Sequence, residues 1–329
     1  MKIALDAMGG DFAPEATVEG AVLAKKNWGV ETILVGDSQK LKPLLEQKKA
    51  DLEIVHASQT IDFDEDPAKA VRKKKDASIV IAAKLVADEK AAALVAAGST
   101  GAAMAASLLI YGRQKGINRP AIAIPMPTLK GMSLVLDCGA NPGATAENLV
   151  DYALLGSIYM EKVMGINRPK VGLLNIGEEE SKGTPEVVQA YQTLKNGSLN
   201  FIGNIEGRDI TEGMADVVVC DGFVGNIVLK YTEGLAKGLM SLMKEAMLAN
   251  LKGKIGALLV KDNLRSVKKK LDYSEYGGTP LLGLKKLTII SHGSSNGKAI
   301  ANALRLANDA SNKDIIGDIE EALEKRSSS

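Results

Sequence analysis

The stretch Ala91–Gly112, AAALVAAGSTGAAMAASLLIYG, carries no charged residue over 22 positions. That length would suffice to span a bilayer. Glycine and hydroxyl residues interrupt the stretch at Gly98-Ser99-Thr100-Gly101, however, and most of its apolar residues are alanine. A buried strand, a glycine turn and a buried helix explain the pattern better than a transmembrane helix does. The stretch therefore predicts one strand–turn–helix unit of an α/β protein.

Similar units lie on both sides of this stretch. Helical periodicity is clear at Glu147–Met164, Thr184–Leu194 and Gly297–Asp309. Strands are predicted as uninterrupted apolar runs, typical of strands covered on both faces, at Lys2–Leu5, Thr32–Val35, Leu52–Val55, Ala92–Ala96, Ala121–Pro125, Ser133–Asp137, Val171–Ile176, Asn200–Gly203, Asp216–Cys220 and Thr288–Ser291. Since no Gly/Ser or Pro linker divides the chain, we predict one α/β domain over residues 1–329. Its fold class is a three-layer α/β/α sandwich with a largely parallel sheet.

Composition excludes several classes of protein. The 329 residues have a hydrophobic fraction of 46%, a charged fraction of 25% and a net charge of +1, so neither a disordered chain nor a globally basic nucleic-acid binder is expected. Cys138 and Cys220 stand far apart in apolar runs, as small buried hydrophobes would. An acid follows three apolar residues at the N-terminus, which does not fit a secretory segment. We expect a reduced cytoplasmic location.

Two common motifs are missing. No G-x-G-x-x-G follows the first strand, and no H-E-x-x-H motif occurs. With only His56 and His292 and no paired cysteines, we expect no metal site. Gly293–Ala299 is one residue short of P-loop spacing and lacks the final Ser/Thr, so nucleotide hydrolysis is not expected.

Polar and glycine-rich loops follow many of the predicted strands. In open α/β sheets the carboxyl ends of the strands form the crevice where ligands bind. Glycine allows the backbone to approach a ligand, and Asp, Asn and Glu supply hydrogen bonds. For a single loop, turn formation and helix capping are the favoured explanation of such residues. For so many loops together, a shared polar crevice is the better account, with the candidate binding residues Asp6, Gly9, Gly10, Asp137, Asn141, Asn204, Glu206, Asp221 and Asn226.

Two of these loops have the form of a phosphate cradle. Gly98, Ser99, Thr100 and Gly101 follow a strand and open a helix, whose free N–H groups suit an anion. Ser99 or Thr100 would act only as a helix N-cap in the alternative interpretation. His292, Gly293 and Ser294 also connect a strand to a helix. His292 is either a functional donor or base, or a structural histidine.

Sequence motifs along the whole chain resemble one family. DAMGGD at Asp6–Asp11, AGSTGA, DCGAN, LLNIGEEESKG, FIGNIEGRD, CDGFVGN, YGGTPLLG and HGSS are similar in order and content to the PlsX-type phosphate acyltransferases of bacterial lipid synthesis. Ser99 and Pro142 depart from the family pattern, which has Asn and Val there. The resemblance implies transfer of a fatty acyl group from acyl carrier protein to inorganic phosphate, giving acyl phosphate for phospholipid synthesis.

The resemblance also implies a mechanism without a cofactor or metal, because phosphate itself is the nucleophile. Lys182 and His292 are then the candidate catalytic residues, as donors to the reacting thioester or phosphate. A homodimer is implied, with a fold like that of the isocitrate/isopropylmalate dehydrogenases and phosphotransacetylases. For Lys182 the alternative is a solvated loop with a surface ion pair.

Other functions stay open at this point. A phosphotransacetylase-like enzyme that uses short acyl-CoA is the second candidate, and a non-catalytic lipid- or carrier-binding scaffold is a third. An acidic carrier favours a basic docking patch, and Arg72-Lys73-Lys74-Lys75 is such a run. A solvated helix face is the alternative meaning of these four charges.

A basic amphipathic helical hairpin is predicted at residues 235–272. Between Lys237 and Lys270 there are nine basic residues and two acids, a charge of +7. Two helices are expected to meet near Lys252-Gly253-Lys254, with Leu258 and Leu259 as membrane contacts. Such a hairpin suits peripheral attachment to the inner face of an anionic membrane, where an acyltransferase that uses acyl phosphate would take the product. A dimer interface or a carrier-docking surface would use the same apolar residues.

Overall fold

The structure is a computed structural model that describes residues 1–271 and 277–327. Its strands lie close to the predicted runs. They are β1 (Ile3–Asp6), β2 (Thr32–Gly36), β3 (Glu53–His56), β4 (Ala93–Ala96), β5 (Ala121–Ile122), β6 (Ile124–Thr128), β7 (Gly131–Leu136), β8 (Val171–Leu174), β9 (Phe201–Ile205), β10 (Val217–Val219), β11 (Thr279–Leu282) and β12 (Leu287–Ile290).

Helices connect most of these strands, as the alternating pattern predicted. They are α1 (Glu15–Trp28), α2 (Ser38–Gln47), α3 (Pro67–Lys73), α4 (Ser78–Ala87), α5 (Thr100–Ile110), α6 (Ala146–Lys162), α7 (Pro185–Lys195), α8 (Gly207–Glu212), α9 (Gly222–Leu248), α10 (Leu251–Leu259), α11 (Lys261–Leu271), α12 (Gly297–Asn312) and α13 (Ile315–Ser327).

The strands form two sheets that share one buried core. The first has seven strands in the order β3-β2-β1-β4-β12-β11-β5, of which the first five are parallel. The second has five strands in the order β6-β7-β10-β8-β9, and only β6 is antiparallel. The α/β/α class with mostly parallel strands is confirmed, although the strands are divided between two sheets.

The two sheets meet where the chain passes from β5 to β6. Only Ala123 separates these strands, so one segment is an edge strand of each sheet. Leu5 and Val95 of the first sheet belong to the same apolar cluster as Leu136 and Val217 of the second. This continuous core is what a single domain over residues 1–329 requires, and that domain assignment stays a prediction.

The predicted hairpin consists of three helices rather than two. The long helix α9 ends at Leu248, and α10 begins after Asn250, whose side chain accepts a hydrogen bond from the Gly253 amide at 2.8 Å. This N-cap explains why the break precedes the expected Lys252–Lys254 junction. The hairpin's predicted last residue, Asp272, lies outside the described residues. Among the described helices, none combines the length and the apolar character that crossing a membrane requires.

Candidate active site

The loop after β1 starts from a buried acid. Asp6 is 5% exposed, and its Oδ1 accepts a hydrogen bond from the Met8 amide at 3.2 Å. Burial raises the pKa of Asp6, while hydrogen bonds from the Ser78 hydroxyl and from the amides of Met8 and Gly9 oppose that rise. A cavity of about 20 Å³ lies beside this carboxyl group, enough for one water molecule. The β1 loop thus holds a buried acid next to a small polar space.

The loop after β4 presents free backbone amides at the start of α5. Ser99 caps this helix, with its Oγ accepting a hydrogen bond from the Ala102 amide at 3.3 Å. Within the described part of the chain, the N–H groups of residues 98–101 have no hydrogen-bond partner. A Cβ at Gly98 would lie 3.2 Å from the Cα of Gly9, so the two loops touch. Ser99 therefore caps the helix and still leaves several N–H donors for an anion.

The loop after β12 completes this edge of the sheet. The Gly293 carbonyl accepts a hydrogen bond from the Asp11 amide at 2.8 Å. A Cβ at Gly10 would lie 3.2 Å from both the Ala97 and the Gly293 carbonyl oxygens. Since β1, β4 and β12 are adjacent and parallel, their three carboxyl-end loops pack against one another. The structure thus brings together the predicted residues of DAMGGD, GSTG and HGSS.

The tautomer of His292 follows from its hydrogen bonds. Its Nδ1 accepts a hydrogen bond from the Ser294 amide at 3.1 Å and lies 2.8 Å from the Ser294 hydroxyl oxygen. An Nδ1 that accepts from a backbone N–H carries no proton, so the proton of the neutral ring is on Nε2. The imidazole is exposed. Of the two roles predicted for His292, this geometry favours the donor over the base.

A second polar cluster forms at the five-stranded sheet. Asp137, which follows β7, is fully buried. Its Oδ1 accepts hydrogen bonds from the amides of Ile122 at 2.9 Å and Ala140 at 3.2 Å. Its Oδ2 accepts from the Asn141 amide at 2.7 Å and from Asn141 Nδ2 at 3.0 Å. Burial raises the pKa of Asp137. Because Ile122 belongs to β5, these contacts favour a role for Asp137 in joining the two sheets over direct substrate binding.

The start of α9 packs against this cluster. Asp221 caps the helix by accepting hydrogen bonds from two amides of its first turn. A Cβ at Gly225 would lie 1.9 Å from the Asp137 carbonyl oxygen, so only glycine fits there. Asn226 is exposed and lies against Gly139, whose φ is +113°. The substrate-binding assignments of Asp221 and Asn226 stay predictions.

Lys182 lies in the loop after β8. Its side chain is exposed, and its ammonium group has no partner in residues 1–271 and 277–327. The surface ion pair of this loop is formed instead by Glu180 and Lys195, at 2.6 Å. Asn175 Nδ2 donates to the Lys182 carbonyl at 2.9 Å and so fixes the loop backbone. The structure therefore leaves the Lys182 charge available to a ligand.

Two further predicted residues lie at the carboxyl end of the neighbouring strand β9, Asn204 within the strand and Glu206 directly after it. Asn204 Nδ2 donates to the Glu179 carbonyl at 2.9 Å, whereas its Oδ1 is buried without a partner among the described residues. Glu206 pairs with Arg208 at 2.7 Å and shares a reciprocal helix cap with Asp209. Asn204 thus keeps an unused acceptor, while the Glu206 carboxylate is engaged within the protein.

The two candidate catalytic residues lie on different sheets. His292 follows β12 and Lys182 follows β8, and no hydrogen bond connects them within the described ranges. Their action on one thioester stays a prediction. Cys138 and Cys220 are buried and free, and burial raises the pKa of both thiols, which disfavours a nucleophilic role. Among the described residues, no cluster of His, Cys, Asp and Glu could hold a metal ion.

The four basic residues at the end of α3 and directly after it differ in their surroundings. Arg72, Lys73 and Lys75 are exposed, whereas the Lys74 ammonium bonds to Glu65 and to the Thr60 carbonyl. Three charges of the run are therefore available for carrier docking, and the fourth is an internal partner.

Some residues of the site could not be identified from the sequence. Ser78, at the start of α4, reaches Asp6, and Phe63 lies 3.4 Å from the position of a Cβ on Gly293. Neither follows a strand end or belongs to a motif. The parallel bridge between Gln59 and Ala77 closes this segment on itself, and α4 packs against β1.

Solved structures with the same fold include two groups of enzymes. A phosphotransacetylase from Streptococcus pyogenes has a TM-score of 0.62 at 20% identity, over 94% of this chain and 93% of that chain. A putative 4-hydroxythreonine-4-phosphate dehydrogenase from Salmonella typhimurium has a TM-score of 0.53 at 13% identity, over 94% and 99%. The fold class is thus the one that phosphotransacetylases share with these dehydrogenases, as the resemblance implied.

The sequence comparisons are more specific. Residues 1–317 match the family model "Fatty acid synthesis protein". The phosphate acyltransferase of Desulfitobacterium hafniense is 53% identical over 326 residues, 98% of this chain and 97% of that protein. That of Heliobacterium modesticaldum is 54% identical over 325 residues, with 98% and 97% coverage. The chain therefore belongs to the fatty acid synthesis protein family, and the PlsX-type resemblance of its motifs is confirmed.

Proposed function

We propose that this protein transfers a fatty acyl group from acyl carrier protein to inorganic phosphate, giving acyl phosphate for phospholipid synthesis. That it is an acyltransferase acting on phosphate follows from its family and from about half-identity to phosphate acyltransferases over nearly its whole length. That the acyl donor is a carrier protein is the further part of this proposal, and it is supported by the position of α3.

The observation that carries the proposal is the set of free amides where three loops meet. The N–H groups of residues 98–101 have no partner among the described residues, and the loops of Gly9–Gly10 and Gly293 close this edge. An array of N–H donors at a helix N-terminus binds phosphate through its oxygens and through the helix dipole. Inorganic phosphate, as the acyl acceptor, would lie here.

The proposed reaction needs no nucleophile from the protein. An oxygen of hydrogen phosphate attacks the thioester carbonyl carbon, a C–O bond forms, and the C–S bond breaks. The carrier's sulfur leaves and takes up the proton that hydrogen phosphate brought. The Nε2–H of His292 and the Lys182 ammonium are donors suited to the oxygen that becomes negatively charged. The protein's task is to hold two substrates in contact and to stabilise that charge.

The position of α3 supports docking of an acidic carrier protein close to the phosphate loop. A Cβ at Gly101 would lie 2.8 Å from Pro67, the first residue of α3, so this helix packs against the phosphate loop. Arg72 and Lys73 follow about 8 Å further along the helix axis. An acidic protein bound at these charges would be within reach of the site.

One assay tests the function. Release of free thiol is followed with hexadecanoyl-carrier and hexadecanoyl-CoA side by side, with and without phosphate. We expect release that depends on phosphate and a higher kcat/KM for the carrier thioester. A higher kcat/KM for the CoA thioester would instead establish a phosphotransacetylase-like enzyme. No phosphate-dependent release from either donor would leave only a binding scaffold.

Charge reversal at α3 tests the carrier site. Arg72→Glu/Lys73→Glu is expected to raise the KM for acyl carrier about tenfold, because the reversed charge repels an acidic protein. Lys40→Glu/Lys42→Glu, an equal change on exposed residues of α2, is the control. Equal KM values in both variants would remove α3 as the docking site.

We also propose peripheral attachment to the inner face of the membrane through the hairpin, in a cytoplasmic homodimer. Leu251, Leu258 and Leu259 are 74%, 72% and 80% exposed, amid the basic residues of α10 and α11. Apolar side chains with neighbouring lysines are typical of proteins that bind anionic lipid surfaces. Product released there would be close to an acyltransferase that consumes acyl phosphate.

Flotation with anionic liposomes tests the attachment. The predicted membrane contacts are removed in Leu258→Glu/Leu259→Glu, which should no longer float while remaining dimeric. Leu129→Glu, at an exposed leucine of the β6–β7 turn (82%), is the matched control and should float like the parent. Equal flotation of the double variant and the parent would exclude the hairpin as the anchor.

A further inference from the structure

A cavity of about 1010 Å³ lies between the β12 loop and the hairpin helices. The loop residues His292 and Ser294 line it on one side, and α9, α10 and α11 line it on the other. The same loop bonds through Gly293 to the β1 loop. The cavity therefore shares the β12 loop with the edge at which the three loops meet. Its volume is at the upper end of the range for small-molecule sites.

The hairpin wall of this cavity is apolar and adaptable. Met240, Met243 and Met247 of α9 recur at helical spacing and line the space together with Ala257 of α10. Methionine side chains are unbranched and flexible, so they fit ligands of variable shape. Such a wall suits a hydrocarbon chain that carries no hydrogen-bonding groups of its own.

Charge at the same wall argues against a second copy of this hairpin as the occupant. Lys237, Lys244, Lys254 and Lys261 also line the cavity, and none of them has a hydrogen-bond or ion-pair partner in the described ranges. A second hairpin seated there would bring like charges together, which is unfavourable. Lysine stems instead cover apolar surface while their ammonium groups stay in water, where an acidic carrier is favoured.

We infer that this cavity holds the fatty acyl chain of the donor, with the thioester at the His292–Ser294 side, and that the facing residues of α9 and α10 set the chain length. The inference rests on the proposed function and adds the acyl subsite to it. Each methylene buried should tighten donor binding about fourfold, the factor that corresponds to ~0.8 kcal/mol per CH₂. The enzyme should therefore prefer long chains over short ones.

A bulky side chain in the cavity tests the inference. Ala257→Trp fills space that faces Met243, and Ile255→Trp adds the same ring at a residue of α10 that is 56% exposed and does not line the cavity. Phosphate-dependent thiol release is measured with butyryl-, octanoyl-, dodecanoyl- and hexadecanoyl-carrier. We expect Ala257→Trp to lower kcat/KM for hexadecanoyl at least about tenfold relative to butyryl. Ile255→Trp should keep the parental profile.

The possible results distinguish a failure of the acyl subsite from a failure of the proposed function. An active Ala257→Trp with the parental chain-length profile would overturn the acyl subsite. If the parent releases no thiol from any donor, the proposed function fails, and binding of cis-parinaric acid, a fluorescent fatty acid, then decides on the cavity alone. Binding that Ala257→Trp weakens and Ile255→Trp preserves would support it, and equal binding would overturn it. Should Ala257→Trp not fold, Ser241→Trp on the α9 wall is expected to act in the same way.

Discussion

The loops that follow β1 and β7 both start at a buried aspartate, but the two aspartates have different roles. Asp6, the last residue of β1, and Asp137, the residue after β7, are both buried, both have a glycine two or three positions further on, and both have a pKa raised by burial. The Asp137 carboxylate accepts four hydrogen bonds and ties β5 to β7. The Asp6 carboxyl borders a small cavity and a set of free amides. A buried acid after a strand can thus join sheets or border a ligand site, and its partners distinguish the two.

The largest effect is expected at the Asp137 joint, which is the contact of Asp137 with β5 and with Gly225 of α9. Gly225→Ala places a Cβ 1.9 Å from the Asp137 carbonyl oxygen and should lower the free energy of unfolding by about 3 kcal/mol. Gly234→Ala, in the same helix with no atom within 4 Å of its Cβ, should raise it by up to ~1 kcal/mol. Urea unfolding of both variants measures the difference. Equal stabilities would mean that the joint is looser than described.

At the β12 loop we expect a substitution to change the catalytic rate rather than the free energy of unfolding. His292→Ala removes the Nε2–H donor and should lower kcat about 100-fold, while His292→Gln, which keeps an N–H donor, should recover part of the rate. His56→Ala is the control, because His56 lies in the edge strand β3 and its Nδ1 contacts the amide and the hydroxyl of Ser38. A parental kcat in His292→Ala would remove His292 from the chemistry, and Lys182→Ala tests the second donor in the same assay.

The smallest effect concerns pH. Because the pKa of Asp6 is raised in the folded state, this carboxyl group binds more protons in the folded protein than in the unfolded chain between the ordinary value of 3.8 and the raised one. The contribution of Asp6 to the free energy of unfolding therefore falls as pH rises through that window, by at most ~1.4 kcal/mol per pH unit. Asp6→Asn should remove this slope. Unfolding of both proteins across the acidic range measures it, and identical slopes would contradict the raised pKa.

The sequence predicted the elements better than their arrangement. Most strands agree with the predicted runs to within two residues, because buried apolar runs are a local signal. β11 was missed, since Gly277 and Gly278 precede it and Pro280 lies within it. The division into two sheets depends on strand order, a long-range property that no local pattern contains. Asn250 ends the α9 region earlier than expected because a capping side chain defines the break.

For the site, the sequence identified the loops and not their contacts. That the β1, β4 and β12 loops meet follows from the rule that ligands bind at the carboxyl ends of parallel strands. That Asp137 is consumed by internal hydrogen bonds requires Ile122 of a distant strand. The acyl cavity requires α9 and α10 to fold back over His292, and a helical pattern alone does not indicate where a helix packs.

We expect phosphate to bind where the β1, β4 and β12 loops meet and not at the Asp137 joint. The most direct test is the apparent KM for phosphate in two variants, Gly98→Ala and Asn226→Ala. Gly98→Ala adds a methyl group 3.2 Å from Gly9 Cα among the free amides, and Asn226→Ala trims an exposed side chain beside the joint. We predict a phosphate KM raised about tenfold in Gly98→Ala, as loss of a charge-assisted hydrogen bond would give, and a parental value in Asn226→Ala, with the acyl-donor KM unchanged in both. A raised phosphate KM in Asn226→Ala together with a parental value in Gly98→Ala would contradict the claim.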